Sequence, residues 1–138
     1  MNYPIVRLSS LTLENIKNVK KGTVCIPSAD NTSGSFKAGI LGIYGQNGSG
    51  KTAIIDALYF IQQIMIGSEL KPEIIDYIDS EMDHADITVE FIISDENRLY
   101  EVGYHVQLMK TDSRVCINRE FLNCAITQNG SRSNKNIF

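Results

Sequence analysis

Gly45-Gln46-Asn47-Gly48-Ser49-Gly50-Lys51-Thr52 fits the pattern Gly, any four residues, Gly-Lys-Ser/Thr. In loops of this pattern, main-chain N–H groups cradle phosphate oxygens. With Gly near ~7% of average usage, a chance match in a chain this long has odds on the order of 1 in 200. Such a loop works only between a buried strand and the start of a helix, so its flanks matter as much as the pattern. Before it, Gly39-Ile40-Leu41-Gly42-Ile43-Tyr44 is an apolar run of strand length, which reads as a strand covered on both faces. After it, Ala53 to Ile66 reads as a helix, with Ile54, Leu58, Ile61 and Met65 on one face and Gly67 as its stop. With Tyr44 outside any sheet, or the segment after Thr52 not coiled into a helix, the cradle cannot exist and the assignment falls with it.

The residue types define the chemistry. Gly45, Gly48 and Gly50 permit positive-φ turns and close approach of a ligand. Successive N–H groups then form a nest at the positive end of the following helix. Asn47, Ser49 and Ala53 complete the wrapping segment. Lys51 supplies a mobile cation for the β- and γ-phosphates and is the one residue assigned a catalytic role; Thr52 offers a hydroxyl to Mg²⁺. The bland alternative is a glycine-rich turn with an exposed lysine.

The rest of the chain sets bounds. Its 138 residues amount to one domain, and 43% hydrophobic with 21% charged residues is ordinary for a globular protein. A formal charge of −3 gives no global attraction to nucleic acid or anionic membrane. Cys25, Cys116 and Cys124 are scattered and lack metal-ligand spacing, which fits a reduced, cytoplasmic compartment. No apolar run approaches the ~20 residues of a membrane span, and the N-terminus has no signal-peptide pattern.

In chain order, Val6 to Leu13 and Gly22 to Pro27 read as an antiparallel pair of strands joined through a polar turn at Glu14 to Asn18. Ser28 to Lys37 reads as a loop. Pro72 opens a second helix, with Ile74, Ile75, Ile78 and Met82 toward the core. Asp79 to His84 is acidic and reads as a solvated helix end and loop. From Asp86 the period is two: Ile87, Val89, Phe91 and Ile93 alternate with Thr88, Glu90, Ile92 and Ser94. Strands at Leu99 to Met109, Val115 to Leu122 and Ala125 to Thr127 follow, separated by turns at Asp95-Glu96-Asn97 and Lys110 to Ser113. Gln128 to Asn136 reads as loop.

A phosphoryl-transfer site also needs an acid that orders Mg²⁺ and water. Phe91-Ile92-Ile93-Ser94-Asp95-Glu96 imitates one, but Thr88 and Glu90 mark that strand as half-exposed, and Asp95-Glu96-Asn97 is turn chemistry. No convincing catalytic acid is present.

The loop and the Ala53-Ile54-Ile55-Asp56-Ala57-Leu58 that follows resemble the ATP-binding heads of the SMC, RecF and OLD (overcoming lysogenization defect) proteins and related AAA-family proteins with ABC-type heads. Leu11-Thr12-Leu13-Glu14-Asn15-Ile16-Lys17-Asn18 is similar to the entry of those families, with Ile16 where Phe is usual and Gln46 where Pro is common in the loop. The meander with Asn118-Arg119-Glu120-Phe121-Leu122 resembles their antiparallel lobe. The resemblance implies an α/β P-loop fold of ABC-ATPase-head type: a mixed sheet around the loop's strand and helix, plus an antiparallel β lobe. It implies a nucleotide-binding core at 6–66, a helical connector at 67–85 and the lobe at 86–138. It also implies ATP and Mg²⁺ as ligands, with a homodimer or the rest of the head as partner. Lys17 becomes a contact to the nucleotide, set against its reading as an exposed turn lysine. Gln107 and Gln128 are weak analogues of the families' water-sensing glutamine. Nucleic acid enters only through the resemblance; Arg114, Arg119, Arg132 and Lys135 read first as solvated surface charges.

The families' signature motif and Walker B acids do not appear, so the chain reads as the N-terminal portion of a longer ATPase. Its head would dimerise with ATP binding and hydrolysis, in a DNA-related or phage-defence process. The alternatives are a non-hydrolysing structural or sensing subunit and, further off, a small-molecule kinase or GTPase.

Overall fold

A computed structural model describes residues 3–27, 40–95, 98–128 and 131–137. The expected loop at 28–37, the turn residues Glu96 and Asn97, Gly39 and Phe138 lie outside them. The described elements are strands β1 (Ile5–Ile16) and β2 (Val19–Cys25), helix α1 (Lys51–Met65), a 3-10 helix (Pro72–Tyr77), and strands β3 (His84–Asp95), β4 (Arg98–Lys110), β5 (Val115–Gln128) and β6 (Ser131–Asn136). All six strands form one sheet in the order β2-β1-β3-β4-β5-β6, and every pairing is antiparallel. This corrects the expectation of a mixed sheet. The first hairpin and the later meander are one surface, joined by β1 against β3.

The imperfect alternation of β1 has a local cause. The β1–β3 register shifts between Leu8 and Ser10, and the extra residue brings Leu8 onto the same face as Leu11 and Leu13. That face carries Ala85, Ile87 and Val89 of β3 and Tyr104, Val106 and Leu108 of β4, all buried. The opposite face is polar. Ser10 donates to Glu90 at 2.6 Å, and Asp86 meets His105 Nε2 at 3.1 Å and Gln107 Nε2 at 3.1 Å.

α1 covers the apolar face. Its buried residues are Ala53, Ala57, Phe60 and Ile61. Ile54 and Leu58 pack only at its margin, and Met65 is 55% exposed, so the expected stripe is rotated. Alanines let the helix axis sit close to the sheet, which larger side chains would prevent. The helix ends in a Schellman motif: Gly67 N–H donates to the Ile64 carbonyl at 2.9 Å and Ser68 N–H to the Gln63 carbonyl at 2.9 Å, with Gly67 at φ 73°.

Three further expectations change. The second helix is a single 3-10 stretch with Pro72 in its first turn; Ile78 then leaves it in extended geometry and bridges to Ile16. Val115 to Gln128 is one strand rather than two, because Asn123 stays in register and its side chain accepts the Gly103 N–H at 3.1 Å. Ser131 to Asn136 is a strand rather than loop; it lies at the sheet edge, where polar side chains are tolerated.

The largest correction concerns the segment before the loop. Residues 40–46 form no strand, Tyr44 lies outside the sheet, and Ile40 and Tyr44 are each 94% exposed. A strand apolar on both faces needs neighbours on both edges. Among the described residues each strand of the sheet is paired elsewhere, and none pairs with this segment.

Candidate functional site

The Gly-rich loop runs into the N-terminus of α1. Asn47 and Gly48 form a turn closed by Ser49 N–H donating to the Gln46 carbonyl at 3.2 Å. Gly48 has φ 83° and Gly50, the helix N-cap, has φ 89°. A Cβ at Gly50 would lie 2.6 Å from Val19 Cγ2, so the loop is pressed against the start of β2 at a spot where only glycine fits.

The β1–β2 turn forms the opposing wall. Lys17 and Asn18 are the two residues between Ile16 and Val19, which pair with each other. Lys17 has φ 52°, and its N–H donates to the Tyr77 carbonyl at 2.6 Å. Asn18 Nδ2 donates to the Gly48 carbonyl and ties the turn to the loop. Lys17 Nζ pairs with the Asp56 carboxylate on α1 and sits 4.3 Å from the centre of the Tyr77 ring. Together Lys17, Asn18, Asn47, Gly48, Gly50, Lys51, Thr52 and Ala53 line an open cleft of about 450 Å³, within the ordinary range of ligand pockets.

Lys51 does not reach across the cleft. Its Nζ donates to the Gly45 carbonyl at 2.6 Å, the Gln46 carbonyl at 2.6 Å and Ser49 Oγ at 3.2 Å. The ammonium is folded back on its own loop, so two carbonyls take the charge that would otherwise meet an anion. Of the residues expected to bind, Asn47, Gly48, Gly50, Lys51, Thr52 and Ala53 are brought to one cleft; Gly45 and Ser49 stand behind Lys51 as its acceptors. Thr52 is exposed in the first helical turn, a position from which a hydroxyl can ligate a hydrated Mg²⁺. Of the two conditions set for the cradle, the helix after Thr52 is met and the strand before the loop is not, since Tyr44 lies outside the sheet; only the helix side of a phosphate cradle is formed.

Asp95 stands apart from this site. Asp86 pairs near Glu14 at the hairpin end of the sheet, and Asp95 is nine residues further along β3, about 30 Å away at the rise of a strand. Gln107 lies on the polar face, bonded to Asp86 and Asn118, and Gln128 closes β5 at the distant end. The late basic residues do not gather. Arg132 pairs with Glu101 at 2.5 Å opposite Thr127, whereas Arg119 lies opposite Gln107 near the other end of β5.

Asn18 and Asp56 are site residues that the sequence reading gives no role. Both stand in stretches that resemble the family, Leu11 to Asn18 and Ala53 to Leu58, but no spacing rule assigns either a contact.

The comparisons agree with the sequence resemblance. A family model described as an AAA domain matches residues 10–137. A stretch of 54 residues, 39% of this chain, is 41% identical to the DNA replication and repair protein RecF of Deinococcus radiodurans and covers 12% of that protein. The chain thus matches only a small part of this relative. No described helix is long and apolar enough to cross a membrane.

Proposed function

The chain belongs to the AAA-domain family, among the ATPase heads of the SMC and RecF class, and from that premise we propose that its cleft binds ATP with Mg²⁺. Lys51 swings from its loop carbonyls to the β- and γ-phosphates, because an ammonium gains more from charged oxygens than from neutral ones. The N–H groups from Asn47 to Ala53 wrap the chain of phosphates, Thr52 ligates the metal, and Lys17 meets the nucleotide from the hairpin. ATP, when bound with Mg²⁺, supplies the phosphoryl group whose transfer to water is the chemistry of an ATPase. The observation that carries this reading is the cleft itself, with loop, helix start and β1–β2 turn converging on one opening.

The exposed apolar residues Ile40 and Tyr44, Ile55 and Tyr59 of α1, and Ile66 at its C-cap support a surface on which the rest of the head packs. That packing makes 40–44 the missing strand and holds the cradle open. In this division 6–66 binds nucleotide, 67–85 connects, and 86–138 forms the lobe. Two heads then sandwich ATP, and hydrolysis releases them, in the cytoplasm and in a DNA-related or phage-defence process. RecF's name, DNA replication and repair protein, supports the DNA branch. The test is phosphate release from Mg-ATP. We expect turnover by the assembled head that Lys51→Ala abolishes; equal turnover in both would contradict the assignment.

A second reading has its own support. The distant placement of Asp95 leaves it unable to serve Lys51, which favours a portion that binds nucleotide without hydrolysing it. Binding without turnover, unchanged when the remaining head is supplied, would select it.

A further inference from the structure

We propose that Asp56 is a positioning residue for the cleft, acting by holding the Lys17 ammonium at the rim where a polyphosphate meets it. The inference rests on the nucleotide reading above.

Lys17 is constrained at every level. Its main chain is in the left-handed region at φ 52° and is tied by its N–H to the Tyr77 carbonyl. Its side chain crosses the Tyr77 ring, with Nζ 4.3 Å from the centroid. Its ammonium is paired with Asp56, and the two side chains are 30% and 21% exposed. An ammonium has three donors, and a carboxylate oxygen takes one of them. Lys17 can therefore keep Asp56 and still donate to an anion. Lys51, in contrast, must let go of its loop carbonyls before it can bind one.

Two effects of Asp56 oppose each other. Its negative charge repels an incoming phosphate. Its hold on Lys17 removes the rotamer freedom that a long side chain would otherwise lose on binding. The pair is partly exposed, so water and salt weaken both effects, but they weaken the repulsion across the longer gap to a phosphate more than the direct contact of Asp56 with Lys17. Positioning wins, and the carboxylate aids binding although it carries the ligand's own sign.

The experiment is a double-mutant cycle on the full chain, read as the dissociation constant of Mg-ATP, with Lys51→Ala as reference and a thermal melt of each variant. Lys17→Met and Asp56→Asn should each weaken binding roughly three- to tenfold. The double variant should be no weaker than Lys17→Met alone, because Asp56 has nothing left to position. Asp56→Glu should restore most of the loss. If Asp56→Asn does not fold, Lys17→Met with Asp56→Glu gives the same cycle at smaller amplitude. Additive losses, or unchanged or tighter binding in Asp56→Asn, would overturn the inference and leave the nucleotide reading standing. Equal affinity in wild type and Lys51→Ala would overturn both.

Discussion

Gly50 shows how tightly a single position ties the loop to the sheet. Its φ of 89° excludes most L side chains, and a Cβ would press into Val19 at 2.6 Å. Gly50→Ala should cost about 1–3 kcal/mol in a urea melt. Adding Val19→Ala should recover only the steric part, since the backbone strain remains. Lys51 was legible from its motif, but the motif carries no information on where the ammonium rests. Its three acceptors are all within its own loop. Asn18 was illegible for a related reason: its contact with Gly48 spans 30 positions, and spacing rules see only neighbours.

Among the elements, the β1–β2 pairing and a helical start at Pro72 could be read directly, because alternation and proline chemistry are local, although the turn is only Lys17-Asn18 rather than Glu14 to Asn18 and the helix is 3-10. The face of α1 could be read only in part: Ile61 is buried as expected, and Ile54 and Leu58 pack at the core's margin. Close approach to the sheet puts Ala53 and Ala57 at its centre and leaves Met65 exposed. Ala57→Leu should therefore cost about 1–3 kcal/mol by overpacking, while Met65→Ala should stay within about 0.5 kcal/mol; denaturant unfolding of the two variants checks the orientation. A second element-level tie lies where the 3-10 helix meets the hairpin. Asp79 accepts Lys20 Nζ at 2.8 Å and the Glu81 N–H at 3.0 Å, and its own N–H donates to the Asn15 carbonyl at 2.9 Å. The Lys20 hydrogen bond first, then the Glu81 N–H, hold its carboxyl below the ordinary value of 3.8. A lowered folded pKa contributes stability above the unfolded value and loses it as pH falls through the folded one. Asp79→Asn should therefore lower the melting temperature at pH 7 and flatten its fall in acid. Parallel melting curves for the two proteins from pH 7 to pH 2 would refute the tie.

At the scale of the molecule, one antiparallel sheet carries α1 on its apolar face and a hydrogen-bonded polar network on the other. Alternation predicted the meander well. The edge strand β6 was hidden by its composition, since Ser, Asn and Lys signal turns in isolation and edges in a sheet. The segment 40–44 failed in the opposite direction. Its apolar run signals burial but cannot name the strands that would bury it. Ile40→Ser should change the stability of this chain by less than about 0.5 kcal/mol, whereas a loss of 2 kcal/mol or more would place Ile40 in a core.

The most direct measurement is calorimetric titration of Mg-ATP into the wild-type chain and Lys51→Ala. The account predicts saturable binding in the wild type, weakened by at least about tenfold in the variant. Indistinguishable isotherms would contradict it, for the loop at the head of α1 would then be a turn that holds no phosphate.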